Sequence, residues 1–281
     1  MKYGAHLPLI DFGSGHPTLA DLRAYASRAA MLGYEFLCAN DHLIYSRPWL
    51  DGPTALAATI ADSADMTIAT TVCLPVIRGP AQTAKTLAAL HTLSGGRLIA
   101  GVGPGSSPRD YEAVGLEFDK RWSLFEAAVR ELRAHLPDGP PVWIGSWGSQ
   151  AGLRRVARLG DGWLASVYNT TPERFRESLA GLPEGIPNAL ATGWMFVSEK
   201  RAEVDRVLED VLAPMLGRPA DALRELALPI GSAAECAERM SAWADAGVQR
   251  IFVWPLRDDV AQLERFAESV VPLVPTSSSG Q

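Results

Sequence analysis

A chain of 281 residues, 47% hydrophobic and 21% charged, has the composition of an ordinary globular protein with one large domain or two small ones. Its net charge of −6 argues against nucleic acid or an acidic membrane surface as a partner. No apolar run is long enough for a transmembrane helix, so no membrane partner is expected. The opening MKYGAHLPLI carries no apolar core of signal-peptide length, and a cytoplasmic location is expected.

Strand-like and helix-like segments alternate along the chain. A first strand over 3–10 is followed by a helix over 18–33, with Thr18 as its cap and Gly33 as its stop. The apolar run 35–40 reads as the second strand and 53–64 as the second helix. The β-branched stretch 66–75 reads as the third strand. Pro80 opens the next helix, which Gly95 and Gly96 end. The fourth strand is 97–103, and an amphipathic helix resumes only near Asp119. Strands at 141–146, 161–166, 189–198 and 249–256 are each followed by a helix, and an extra helix over 232–247 precedes the last of them.

Eight strands alternating with helices imply parallel pairing. They fit a single (β/α)8 TIM barrel spanning 1–275, with a disordered tail over 276–281. A doubly wound open sheet is the competing arrangement.

In a barrel the chemistry lies on the loops after the strands. The second strand ends in Asn40-Asp41-His42. Imidazole titrates near neutrality and an adjacent carboxylate shifts its charge, so Asp41 and His42 are candidate acid–base or cofactor-contacting residues. The plain alternative is a turn cap beside a loop histidine. Tyr45, Arg47 and Trp49 on the long loop that follows are suited to an aromatic ligand. Cys73 ends the third strand with nothing nearby to activate it, and a small buried hydrophobe is the simpler reading.

The fourth strand runs into LIAGVGPGS, with glycines at 101, 103 and 105. The spacing is not the G-x-G-x-x-G of a dinucleotide loop, and no helix pattern follows at once. Such glycines either permit a sharp turn or let something flat approach the backbone. Gly145, Ser146, Gly148 and Ser149 stand just before a helix, where free N–H groups and the dipole favour a phosphate; an ordinary N-cap is the alternative. Three scattered cysteines and five scattered histidines form no metal motif, so no metal site is expected. No nucleophile elbow, Walker loop or strand-end lysine appears, which favours a barrel whose cofactor carries the chemistry.

These strand ends together resemble the bacterial luciferase-like monooxygenase family, in particular its branch using the deazaflavin coenzyme F420. The resemblance rests on MKYGAHLP, GYEFLCANDHL, ATTVCLPVIRGPAQTAKTLAALHTLSGGRLIAGVGPG, WIGSWG with ARLGDGWL, and PIGSAAECAERMSAWADAGVQRIFVWPL. It implies an isoalloxazine-like ring at the barrel mouth and a cis peptide at Thr71–Val72 supporting that ring. Asp41 and His42 would lie at the ring, with His42 a candidate for protonation or substrate steering. Gly103 would leave room beside the ring, and Gly145, Ser146, Trp147, Gly148 and Ser149 would hold the phosphate. His6, on the first-strand block, joins Asp41, Thr71 and Val72 among the implied cofactor contacts.

One departure stands out. Sugar-phosphate dehydrogenase members of the family carry an acidic glutamate after the fourth-strand glycines, where this chain has Ser106. The resemblance implies hydride transfer between F420 and a small organic substrate. The alternatives are an FMN-dependent monooxygenase supplied by a flavin reductase and a non-catalytic flavin-binding protein. A homodimer is a further expectation.

Overall fold

The computed structural model describes residues 1–13 and 15–275. The tail over 276–281, expected to be disordered, lies outside the described residues. Among the described residues nine parallel strands are present: β1 (Lys2–His6), β2 (Phe36–Ala39), β3 (Thr67–Thr70), β4 (Leu98–Val102), β5 (Val142–Gly145), β6 (Gly162–Ser166), β7 (Asn188–Val197), β8 (Ile230–Gly231) and β9 (Arg250–Pro255). Strands β1 to β6 pair in sequence, β6 pairs with β7, β7 with β9, and β9 with β1. The sheet therefore closes into an eight-stranded barrel, which excludes the open-sheet alternative. The two-residue β8 adds to β7 outside the closed ring.

The helices are α1 (Leu19–Met31), α2 (Gly52–Thr59), α3 (Pro75–Arg78), α4 (Pro80–Leu93), α5 (Pro108–Ala113), α6 (Arg121–Ala134), α7 (Gln150–Leu159), α8 (Pro172–Ala180), α9 (Arg201–Val207), α10 (Ala213–Leu216), α11 (Ala220–Arg224), α12 (Ala233–Asp245) and α13 (Asp259–Arg265). Thr18 caps α1 as expected: its hydroxyl accepts from Asp21 N, and Asp21 reaches back to the Thr18 amide. Pro80 takes the first turn of α4.

Two apolar layers follow from the alternation of side chains along each strand. The outer layer packs strand residues such as Leu37, Ile68 and Val102 against the helices. The inner layer fills the barrel with Phe36, Cys38, Ala69, Trp143, Leu164, Ala189, Ala191 and Phe252. Arg250 spans its lower end, with its guanidinium 5.7 Å from the Phe36 ring and 5.2 Å from the Trp143 ring. Burial pulls its pKa down.

The structure departs from the sequence pattern where tertiary contacts override local preference. The strand expected over 66–75 ends at Thr70, because the Thr71–Val72 peptide is cis and α3 begins at Pro75. The expected helix-free stretch 104–118 contains α5. The helix expected over 199–216 is α9 and α10 joined by a π-helical segment over Leu208–Leu212.

Candidate functional site

The C-terminal ends of β2 to β7 open on a cavity of about 470 Å³. Asn40, Asp41 and His42 line it from β2, Thr71, Val72 and Leu74 from β3, and Gly103 to Ser106 from β4. Gly145, Ser146, Trp147 and Ser149 contribute from β5, and Leu164 to Ser166, Tyr168, Ala191 and Thr192 from β6 and β7. Phe118, Arg121 and Trp122 close the side nearest α6. The wall is mainly apolar, and its few polar groups face one space.

Asp41 does not form the expected pair with His42. Its carboxylate, buried to 3% exposure, takes two bonds from Arg78, at 2.5 Å from Nε and 2.7 Å from Nη2. Asp51 accepts a further bond from the same guanidinium. Hydrogen bonding to Asp41 raises the Arg78 pKa still further above its ordinary range. The carboxylate that meets His42 belongs to Asp110, 3.0 Å from Nδ1. Asp110 is fully buried on α5. Sequence reasoning missed it, although Ser107-Pro108-Arg109-Asp110 carries a capping-type spacing: Ser107 caps α5, with its hydroxyl accepting from Asp110 N. Arg78 carried no comparable signal.

His6, an implied cofactor contact, lies behind the cavity wall. Only 1% exposed, it does not line the cavity. Its Nδ1 donates to Leu7 O (2.8 Å) and its Nε2 accepts from Asn40 N (3.0 Å). Burial pushes its pKa down to about 3, so it is neutral. The ring stacks 3.5 Å from Trp254 and holds Asn40 from behind.

Val72 explains two of the glycines. A Cβ on Gly103 would come within 2.7 Å of Val72 Cγ2, and one on Gly145 within 3.1 Å of Val72 Cγ1. The valine side chain fills a slot that these bare backbones create. Room at Gly103 thus serves a neighbouring side chain directly. Gly101 faces inward instead, where a Cβ would collide with Thr70 O at 2.0 Å. Gly105 has φ of +83°, the turn geometry glycine favours.

The β5–α7 loop carries the expected N-cap. Ser149 caps α7 through Gly152 N (3.1 Å) and lines the cavity. Trp147 stands at the rim, 57% exposed. Gly148 does not line the cavity; its φ is +90° and its carbonyl accepts from Ser178 Oγ. Arg155 turns away to Glu126 and the Trp122 face.

Two buried polar atoms of cavity-lining residues lack partners. Asn40 Oδ1 is buried without a hydrogen bond. Thr71 Oγ1 lies beside the weakly bonding Cys38 thiol and makes no conventional bond. Cys73, fully buried 3.8 Å from Asp41, has its thiol pKa raised by burial and by that carboxylate, as befits an inert thiol. Among the described residues no group of three or more His, Cys, Asp or Glu could hold a metal ion. Among them, too, no helix is long and apolar enough to cross a membrane.

The closed parallel strands and surrounding helices define a TIM barrel, with a part-apolar cavity at its C-terminal mouth and a capped helix N-terminus beside it. The family model for luciferase-like monooxygenase matches residues 6–250, and the chain belongs to that family. A phthiodiolone/phenolphthiodiolone dimycocerosates ketoreductase of Mycobacterium tuberculosis is 29% identical over 183 residues, covering 52% of this chain and 47% of that protein. The chain thus spans about half the length of that relative. An F420-dependent secondary alcohol dehydrogenase bound to an F420–acetone adduct superposes with a TM-score of 0.80 at 18% identity, covering 98% of this chain and 99% of the other. The oxygenating constituent of a type II Baeyer–Villiger monooxygenase of Pseudomonas putida, bound to FMN, gives 0.72 at 15% identity, covering 98% and 99%. At these identities the two likenesses establish the fold.

Proposed function

We propose that the protein is an oxidoreductase that moves a hydride between coenzyme F420 and a small organic substrate. The observation that carries this reading is the pair of buried unpartnered atoms, Asn40 Oδ1 and Thr71 Oγ1, belonging to two residues that line a mainly apolar cavity. A buried polar atom left unbonded costs about 1–3 kcal/mol. A flat heterocycle with polar edge groups satisfies both atoms while its faces meet apolar walls. The residues fit such a group: Asn40 and Thr71 would hold the ring edge, Val72 would support the ring, and the amides at Ser149 and the first turn of α7 would hold a phosphate.

When bound, the deazaflavin supplies a carbon that accepts or donates hydride as a two-electron unit. The chain's own part is orientation, exclusion of water and control of one proton. Trp147, Tyr168, Phe118 and Trp122 enclose the mouth. His42, 17% exposed at its side chain, is the titratable group positioned to give or take the substrate proton. Ser106 lines the cavity without an acidic group, which argues against the sugar-phosphate reaction.

The second reading, FMN with oxygen chemistry, keeps support from the FMN-bound relative of the same fold. A homodimer and, for that reading, a partner flavin reductase belong to the proposal. Asn40→Leu tests the ring-edge assignment. It should leave the melting temperature of the ligand-free chain unchanged or higher and weaken F420 binding about tenfold. Unchanged affinity would contradict the assignment.

A further inference from the structure

We infer that Asp110 is a positioning residue that fixes the tautomer of His42, presenting Nε2 as the working nitrogen. This deepens the reading of His42 as the proton-handling group and rests on it for its catalytic consequence. The geometric claim stands on the contacts alone.

Two backbone amides and one imidazole nitrogen converge on the Asp110 carboxylate. Oδ1 accepts from Leu43 N at 3.2 Å and Ile44 N at 2.7 Å, and Oδ2 stands 3.0 Å from His42 Nδ1. The side chain has no exposure to solvent. An ionised carboxylate has only lone pairs to offer. The hydrogen in the contact with His42 therefore comes from Nδ1, whether the imidazole is neutral or charged. Nε2 is left as the acceptor in the neutral ring and as the proton carrier in the charged one.

The support behind Asp110 is firm. Ser107 caps α5, and the adjacent Tyr111, also fully buried, donates from its hydroxyl to Pro104 O at 2.5 Å. The short helix is thereby pinned to the loop after β4. His42 packs between Tyr45 (centroids 4.9 Å apart) and Trp49 (4.8 Å), which restrict its ring further. The β2 loop and the β4 loop thus meet through one carboxylate that serves two backbone amides and one imidazole.

The arrangement makes Asp110→Asn a sharp probe. The two amides need an acceptor at the Oδ1 position, so the asparagine oxygen stays there. Its NH2 group then occupies the place of Oδ2 and donates towards His42. Nδ1 must now accept, and the proton moves to Nε2. The substitution keeps shape and loop anchoring while reversing the tautomer.

The test is long-range proton–nitrogen NMR on the full 15N-labelled chain in alkaline buffer, with His42→Gln assigning the resonances. The expected result is an Nδ1–H tautomer in the native chain and an Nε2–H tautomer in Asp110→Asn. Turnover with F420 should fall about 100-fold in kcat, with KM little changed. An Nε2–H tautomer in the native chain overturns the inference without recourse to any variant. So does an unchanged tautomer in a folded Asp110→Asn chain. A reversed tautomer in a chain that neither binds F420 nor turns it over upholds the positioning role and overturns the proposed function.

Discussion

Val72 and Gly103 fit together so closely that one methyl group on the glycine would stand 2.7 Å from Val72 Cγ2. Valine is stiff at χ1, so the side chain has little room to turn aside. Gly103→Ala should destabilise the chain by about 1–3 kcal/mol through overpacking and weaken cofactor binding. Val72→Ala in the same chain should recover much of the stability. Urea unfolding of the two variants beside the native chain checks this, and a Gly103→Ala chain as stable as the native one would refute it.

Arg78 holds a buried carboxylate on the cavity wall. Arg78→Met strands Asp41, and removing one partner of a buried pair costs about 3–5 kcal/mol. Asp41→Asn added to Arg78→Met should return part of that loss. A double-mutant cycle by chemical denaturation measures the coupling. Losses below about 1 kcal/mol in both single variants would place this pair with ordinary exposed ion pairs.

Asp259 carries a pH signature outside the site. Burial, aided by the nearby Asp258 charge, pushes its pKa up to about 6 from 3.8. Below the unfolded value both states are protonated and no penalty exists. Between 3.8 and about 6 the unfolded chain ionises first, so stability falls as pH rises, and above about 6 the full penalty is present. Asp259→Asn should therefore stabilise the chain by up to about 3 kcal/mol at pH 8 and leave it unchanged near pH 3. Denaturation at the two pH values tests the sign; equal effects at both would contradict the assignment.

Replacement of His42 by alanine should slow turnover about 100-fold or more and leave F420 affinity within a few-fold. The imidazole handles a proton in this account and supplies little binding. Steady-state kinetics beside a binding titration separates the two effects. A native turnover rate would remove His42 from the mechanism.

The barrel was legible because strand and helix periods alternate eight times, and caps such as Thr18 and Pro80 mark the boundaries in local sequence. The loops were legible in position but not in wiring. Asp41 adjoins His42 in the chain, yet Arg78 claims its carboxylate from another loop. Asp110, 68 residues away, takes the imidazole. Such pairings depend on how separate strand ends converge, and local spacing does not encode that. His6 shows a related limit: the resemblance implied a cofactor contact there, and no local spacing announced that both of its nitrogens bond backbone. The glycines of 101–105 were visible as a need for bare backbone. Their separate causes, a barrel carbonyl, the Val72 side chain and a turn, required the neighbours to be in place.

The central claim is that this cavity is built for F420. Equilibrium titration of the full chain with F420 and with FMN, followed by tryptophan fluorescence, tests it most directly. Trp147 at the rim and Trp122 on the wall report occupancy. The account predicts saturable F420 binding in the micromolar range or tighter, with FMN at least tenfold weaker. Micromolar FMN binding with no F420 binding would contradict it.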